Sequence, residues 1–488
     1  MKTFRLASSI TVPLITFLLA LGVYLLTIAP DLTWAHFGVD GGELIAAATT
    51  LGVPHPPGYP TYVLLGKLFS LLPLGTIPLR FNLFSAVSMA IAAAFVTAIS
   101  RSACQPVSLS AGQSSVLSPS IIAGLTFAFA QLVWGQAVIT EVYALNLACL
   151  ALFLWLLLTG RPAWWVGIAL GVSMTTHLSS GLMLPLALWG VGRGRVLNLL
   201  TGCLLGLTPF LLIPLFAQNP TPVVWGDPTT LAGWLWVITG RLFAGNVFAL
   251  PLAQWPERLV EWGAIPFIQF TPLGLPLLVY GLYRARENEA TERMAADDLS
   301  ELLPVAPPLR PMQGALLFST LAYFFYAFTY TSIDAIIFLL PGLLLLSVLL
   351  TFGLKRLGKW GWVLPLTLVA LNFGPVNLHN EVGPRPQAEQ LLAALPPNAI
   401  VLSPGDETIF TLWALQQGEG IRPDLILVDA NLFALKAYRQ RLSQLFPHLT
   451  ALTEDNLAAF QQANQQQPFC SVTIHQPQNP LCYGMNLE

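Results

Sequence analysis

Charge is what this sequence has least of. Only 9% of its 488 residues are Asp, Glu, Lys or Arg, against about 25% in an average soluble domain. Hydrophobic residues make up 55% and mean hydropathy is +0.66, which excludes an ordinary soluble globule. A net charge of -2 and a pI near 6.3 supply no basic field, which excludes nucleic acid as a partner. Cysteine is scarce as well. None of the five (Cys104, Cys149, Cys203, Cys470, Cys482) falls in a C-x-x-C pair, so no zinc-type spacing is present. The first three sit in or beside apolar runs, as small core residues do. Cys470 and Cys482 lie about a dozen residues apart in a polar tail and can pair only if that tail faces an oxidising compartment.

What is abundant is apolar sequence in lengths that suit a bilayer. A span takes about 20 apolar residues and cytoplasmic loops collect Lys and Arg, so the chain threads by alternating sides. Lys2 and Arg5 precede an uncleaved first helix from about Ile10 to Ile28, which leads residues 30–81 to the outer face. Within that loop the shorter piece Tyr62 to Leu72, interrupted by Lys67, suits an interfacial helix. Further spans are expected at about Asn82–Ser100, Ile121–Gln136, Leu145–Leu158, Leu197–Phe216, Trp262–Tyr283, Ala315–Tyr330, Ala335–Phe352 and Trp360–Asn377. Two short pieces, Trp164–Met174 and Leu182–Val191, are hinged at Thr175 to Ser180, and broken helices of this kind are tolerated where they face a cavity. An outer loop covers 218–261 and a charged inner loop 284–311. The sum is a polytopic α-helical membrane protein of about eleven transmembrane helices over residues 1–379. Its amino terminus is cytoplasmic in this threading. A small soluble α/β domain over 380–488 is extracytoplasmic, with Ala399–Ser403 and Asp424–Asp429 as buried parallel strands.

Against this background the polar residues stand out. Asp40 and Glu43 follow the first span and open a helical pattern. The spacing suits a plain helix cap, with the aspartate at the N-cap and glutamate three residues on. It equally suits a catalytic pair, because carboxylates beside lipid are costly and mark functional cavities. His55 stands in the proline-rich stretch Pro54 to Pro60 and is the side-chain type that titrates near neutrality, which fits a proton carrier, a hydrogen-bond donor to a phosphate or a loop brace. Tyr59 closes the same stretch. Arg80 and Arg241 fall on the side where arginine is underused, and a guanidinium there either grips phosphate with two parallel bonds or snorkels to headgroups. Glu141, His177, Asp227 and Asp334 all fall at outer ends of spans or in outer loops, as a membrane-embedded site assembled from several segments requires.

Asp40-x-Gly42-Glu43, then His55-Pro56-Pro57-Gly58-Tyr59-Pro60, then Arg80-x-Asn82 together resemble the protein O-mannosyltransferase-like family, part of the wider GT-C superfamily of multi-pass glycosyltransferases. The resemblance is strong over about residues 25 to 150 and weaker onward through Trp225-Gly226-Asp227-Pro228 and Asp334. It implies a GT-C-like fold and a polyprenyl-phosphate sugar donor, with mannose favoured. It further implies a protein or glycan hydroxyl as acceptor at the outer face, with Asp40 at the reacting centre and Glu43 beside it. His55, Tyr59, Arg80, Glu141, His177, Asp227, Arg241 and Asp334 are then the substrate-binding candidates. No cofactor is called for, and a divalent metal is left open. The rival class is a transporter or lipid flippase, which calls for ionisable groups near mid-membrane instead of at the outer ends.

Overall fold

The structure is a computed structural model that describes residues 2–104, 114–296, 309–478 and 480–483. It is mostly helical, with one small sheet near the carboxyl end. Helix α1 (Lys2–Thr27) is followed by a 3-10 segment that delivers Asp40 to the start of α2 (Gly41–Thr50). The proline-rich stretch then turns into α3 (Pro60–Ser70), with Pro60 in the first turn, where its missing N–H costs nothing. A long helix α4 (Ile77–Cys104) packs against α1, against α5 (Ser114–Phe129) and against α7 (Tyr143–Leu158).

The third expected span, Ile121 to Gln136, is not one straight rod. It is α5 and α6 (Gln131–Ala137), bent by 70° where Ala130 leaves helical geometry. Among the described residues, four helices are long and apolar enough to cross a membrane, or six if each of two bent pairs makes one crossing. Helices Tyr143–Leu158 and α8 (Ala163–Thr176) are shorter apolar elements. Part of the charged loop expected over 284–311 lies outside the described residues.

The strands expected near Ile400 and Ile426 form as β1 (Ile400–Ser403) and β2 (Ile426–Asp429), parallel to one another. Strand β3 (Phe469–Ser471) lies parallel on the other side of β1, and β4 (Leu481–Tyr483) runs antiparallel beside it, in the order β2-β1-β3-β4. Cys470 and Cys482 are register partners across β3 and β4 and are joined by a disulfide.

The tail does not stand apart from the helices. Leu44 to Ala48 of α2, together with Tyr62 and Phe84, share one continuous apolar core with Ile409, Leu412 and Trp413 of the tail helix Asp406–Trp413. Polar bonds reinforce the seam. Arg385 Nε lies 2.8 Å from Asp31 Oδ1 and its two terminal nitrogens reach Glu419. Arg441 donates to the carbonyls of Ala217, Asn219 and Thr221, just after the short helix Ile213–Phe216.

Candidate active site

Helix α2 begins at Asp40, yet the aspartate makes no side-chain bond to the helix start. Glu43 does not reach back to the cap either. Its carboxylate is fully buried and takes three donors instead: the backbone N–H of His55 at 3.0 Å, the His55 ring Nδ1 at 2.5 Å, and the Trp225 indole N–H. The capping reading of this pair is therefore corrected: Asp40 is at the N-cap position, but its oxygens are left for the cavity.

Two backbone features aim these donors. His55 follows α2 through the residues that pair Val53 with residues 223–225: Val53 N–H donates to Val223 O, and Trp225 N–H donates back to Val53 O. This short parallel bridge places the Trp225 indole over Glu43. Gly58 at φ +83° turns the chain, and a Cβ there would meet Ile213 at 3.0 Å, so the turn requires glycine. Tyr59 then sits with its hydroxyl 3.0 Å from His55 Nε2, and Asp40 Oδ2 lies 3.8 Å from the same nitrogen.

These groups open onto a cavity of about 1180 Å³. One wall is largely aromatic, with Tyr143, Phe243, Tyr326, Tyr330 and Phe338. His177, at the expected hinge after α8, faces the same space; its Nδ1 accepts from Ser179 N–H, which leaves Nε2 to carry the proton. Asn146 ties that hinge down through Ser173, Thr176 and Ser180. Asp334 accepts a long bond, 3.4 Å, from the Tyr143 hydroxyl. The opposite wall belongs to the tail and carries Asp406, Glu407, Thr473 and His475.

The electrostatics separate the two first carboxylates. Burial would push His55 down, but the Glu43 and Asp40 carboxylates outweigh it and carry its pKa up to about 10, so it is an imidazolium at neutral pH. Loss of hydration at the cavity wall raises Asp40 to about 6, opposed by His55 and reinforced by Glu43, Asp334 and Asp406. Its side chain remains 42% accessible, so the raised carboxylate faces the open cavity. Glu141 is buried close behind; one oxygen accepts from Val142 N–H, the other has no partner, and burial with the Asp40 charge pushes its pKa up.

Of the residues singled out in the sequence, Asp40, His55, Tyr59, His177 and Asp334 line this one cavity, with Glu43 directly behind it. Four do not join them, of which Glu141 is buried outside the cavity lining. Arg80 is spent on the turn before α4, where it donates to the carbonyls of Ser70, Leu74 and Gly75. Its expected phosphate role is therefore corrected. Asp227 accepts from Thr229 and lines a separate cleft against Arg441. Arg241 is exposed and does not line the cavity, although Thr239, Gly240 and Phe243 on either side of it do. Trp225 stood in a motif already noted and was readable beside Asp227. Asp406, Glu407 and His475 carried no local signal; only the docking of the tail brings them here. Among the described residues no group of three or more His, Cys, Asp or Glu side chains is arranged to hold a metal ion.

Comparison with known proteins agrees with the motif. Residues 40–196 match the family described as "Protein O-mannosyl-transferase TMEM260 N-terminal domain", a match that begins at Asp40 itself. Residues 384–446 match "TMEM260-associated domain 2". The chain is 30% identical over 222 residues to mouse "Protein O-mannosyl-transferase TMEM260", covering 41% of this chain and 30% of the mouse protein. To the Dictyostelium discoideum protein of that name it is 25% identical over 308 residues, covering 53% and 34%. The chain thus spans about a third of the length of these relatives. The crystal structure of ArnT from Cupriavidus metallidurans bound to undecaprenyl phosphate aligns with a TM-score of 0.46 at 14% identity, over 89% of this chain and 91% of that one.

Proposed function

We propose that this relative of the TMEM260-type O-mannosyltransferases is an integral-membrane glycosyltransferase that moves a sugar, mannose foremost, from a polyprenyl phosphate to an acceptor hydroxyl. One observation carries the reading: Asp40 is freed from capping and stands in a large cavity, with a pKa raised to about 6. A base of that strength is ionised at neutral pH and still takes a proton well. The imidazolium of His55 beside it stays charged through Glu43, and it offers a donor toward the cavity.

In this mechanism Asp40 removes the acceptor proton while the sugar carbon takes on positive character and the lipid phosphate leaves. Negative charge gathers on that phosphate, so a cation must meet it. Arg241, exposed beside cavity-lining Gly240 and Phe243, is the arginine closest in sequence to that wall and has its guanidinium available. The aromatic wall suits an isoprenoid tail and the stacking of a sugar face. Glu43 orients His55 and touches no substrate. Direct attack of the acceptor hydroxyl, with no covalent sugar-enzyme intermediate, makes the displacement inverting.

The eleven-span threading belongs to this proposal, with the amino terminus cytoplasmic and the tail, residues 380–488, extracytoplasmic. Every cluster of two or more basic residues before the tail then falls inside. The Cys470–Cys482 disulfide supports an oxidising location for the tail. Purified protein incubated with polyprenyl-phosphate sugars and hydroxyl-bearing peptides should release lipid phosphate and yield glycosylated peptide. Folded protein that releases no lipid phosphate from any sugar donor would remove the enzyme reading.

A further inference from the structure

We propose that the tail is a working half of the active site, in which its helix Asp406–Trp413 positions the catalytic helix α2 through Gly42 and presents Asp406 to the same reacting space as Asp40. This rests on the reading of Asp40 as the base.

The contact at Gly42 is between backbones. A Cβ at residue 42 would stand 2.3 Å from Phe410 O, 2.5 Å from its carbonyl carbon and 3.0 Å from Thr411 N. Main chain inside a helix cannot rotate away as a side chain can, so alanine forces α2 and the tail helix apart by about 1 Å. Gly41 is pressed from the other side, where its Cβ would meet Thr140 O at 2.9 Å. The helix that begins at Asp40 and carries Glu43 is therefore held between the segment before α7 and the tail. The grip continues along α2: Ile45 meets Gly418, where an added Cβ would stand at 3.2 Å, and Thr49 Oγ1 lies 3.5 Å from Gln417 O.

The same helix ends at the cavity. Asp406 and Glu407 open it, and both line the space into which Asp40 and His55 project. Glu407 is engaged by His475 at 2.8 Å, which closes that edge of the wall. Asp40 is faced by His55 and Glu43 from its own segment, by Glu141 from before α7, by Asp334 and by Asp406. His177 and Glu407 also line the cavity. Asp406 is the charged group that the tail adds to the field on Asp40.

Two variants of the full chain test this. Gly42→Ala should lower kcat by about tenfold or more while donor affinity stays within about twofold, because a shift of about 1 Å at the catalytic helix spoils alignment without touching the aromatic wall. Asp406→Asn, which keeps shape and removes one negative charge, should move two midpoints to lower pH by about 0.3–1 unit. One is the acid limb of the kcat profile, set by Asp40. The other is the titration of His55 followed by 15N NMR of the histidines, which needs no turnover. Folded Gly42→Ala protein with wild-type kcat, or unmoved midpoints in Asp406→Asn, would overturn the proposal. If Gly42→Ala does not fold, Asp406→Asn decides alone. Absence of product from the wild type would count against the enzyme reading instead, and the histidine titration would still decide the role of the tail.

Discussion

Glu43 Oε2 lies 2.5 Å from His55 Nδ1, in a pocket where the glutamate is fully buried and the indole of Trp225 closes its other oxygen. The two carboxylates of the Asp-x-Gly-Glu motif thus have different employments. Glu43 holds an imidazolium; Asp40 faces the cavity.

Asp40→Asn separates base from cap, since asparagine keeps the oxygen and loses the proton affinity. With no cap bond to lose, the variant should retain its melting temperature and donor binding while turnover drops by about 10²-fold or more. Near-normal transfer by this variant would transfer the base role to Glu141.

Glu43→Gln should behave differently, because it strips the charge partner from a buried imidazolium. Breaking a buried pair typically costs about 3–5 kcal/mol, so lower thermal stability should accompany lost activity. The sign can be checked by pH. His55 is raised in the folded protein to about 10, so the stabilisation from its pairing is fully present below its ordinary value of 6.5 and is lost as pH rises through about 10. Wild-type unfolding free energy should show that alkaline loss, and Glu43→Gln should show a smaller one, because Asp40 still faces His55.

The acid limb of wild-type activity should have its midpoint near pH 6, the value to which Asp40 is raised. Protonation removes the base, so kcat falls as pH is lowered through that point. A limb near the ordinary aspartate value would mean that a different group accepts the proton.

Arg80 and Arg241 should part company. Arg241→Ala should weaken binding of the lipid phosphate by about 1.5–3 kcal/mol, with lysine rescuing only in part. Arg80→Ala should leave donor affinity unchanged and instead lower stability, since its guanidinium satisfies three carbonyls before α4. Donor titrations on both variants, read beside thermal melts, check this.

Cys470 and Cys482 should resist alkylation in native, unreduced protein, and reduction should destabilise the tail by about 2–4 kcal/mol, as for short loops generally. Both thiols reacting freely without reductant would contradict the bond.

The sequence by itself determined the elements that depend on neighbours along the chain. Apolar run lengths specify where helices form, and buried β-rich runs specify β1 and β2, because those preferences are local; Pro60, read from sequence as one of four prolines that forbid regular helix, instead opens α3. The Asp40 to Tyr59 cluster was legible for a similar reason: its members lie within one loop, and polar groups are rare enough here to be conspicuous. What only the tertiary structure decided is the work each polar group does. Arg80 and Asn82 stand two residues apart in one motif, yet the first bonds carbonyls at and after the end of α3 and the second ties Ala29 and Asp31 to Thr140. Asp406 and His475 line the cavity because the tail packs against the helices, and a backbone contact such as that of Gly42 with Phe410, more than 350 residues apart, leaves no periodicity to read. Local pattern places helices; only the packed chain places charges against one another across a cavity.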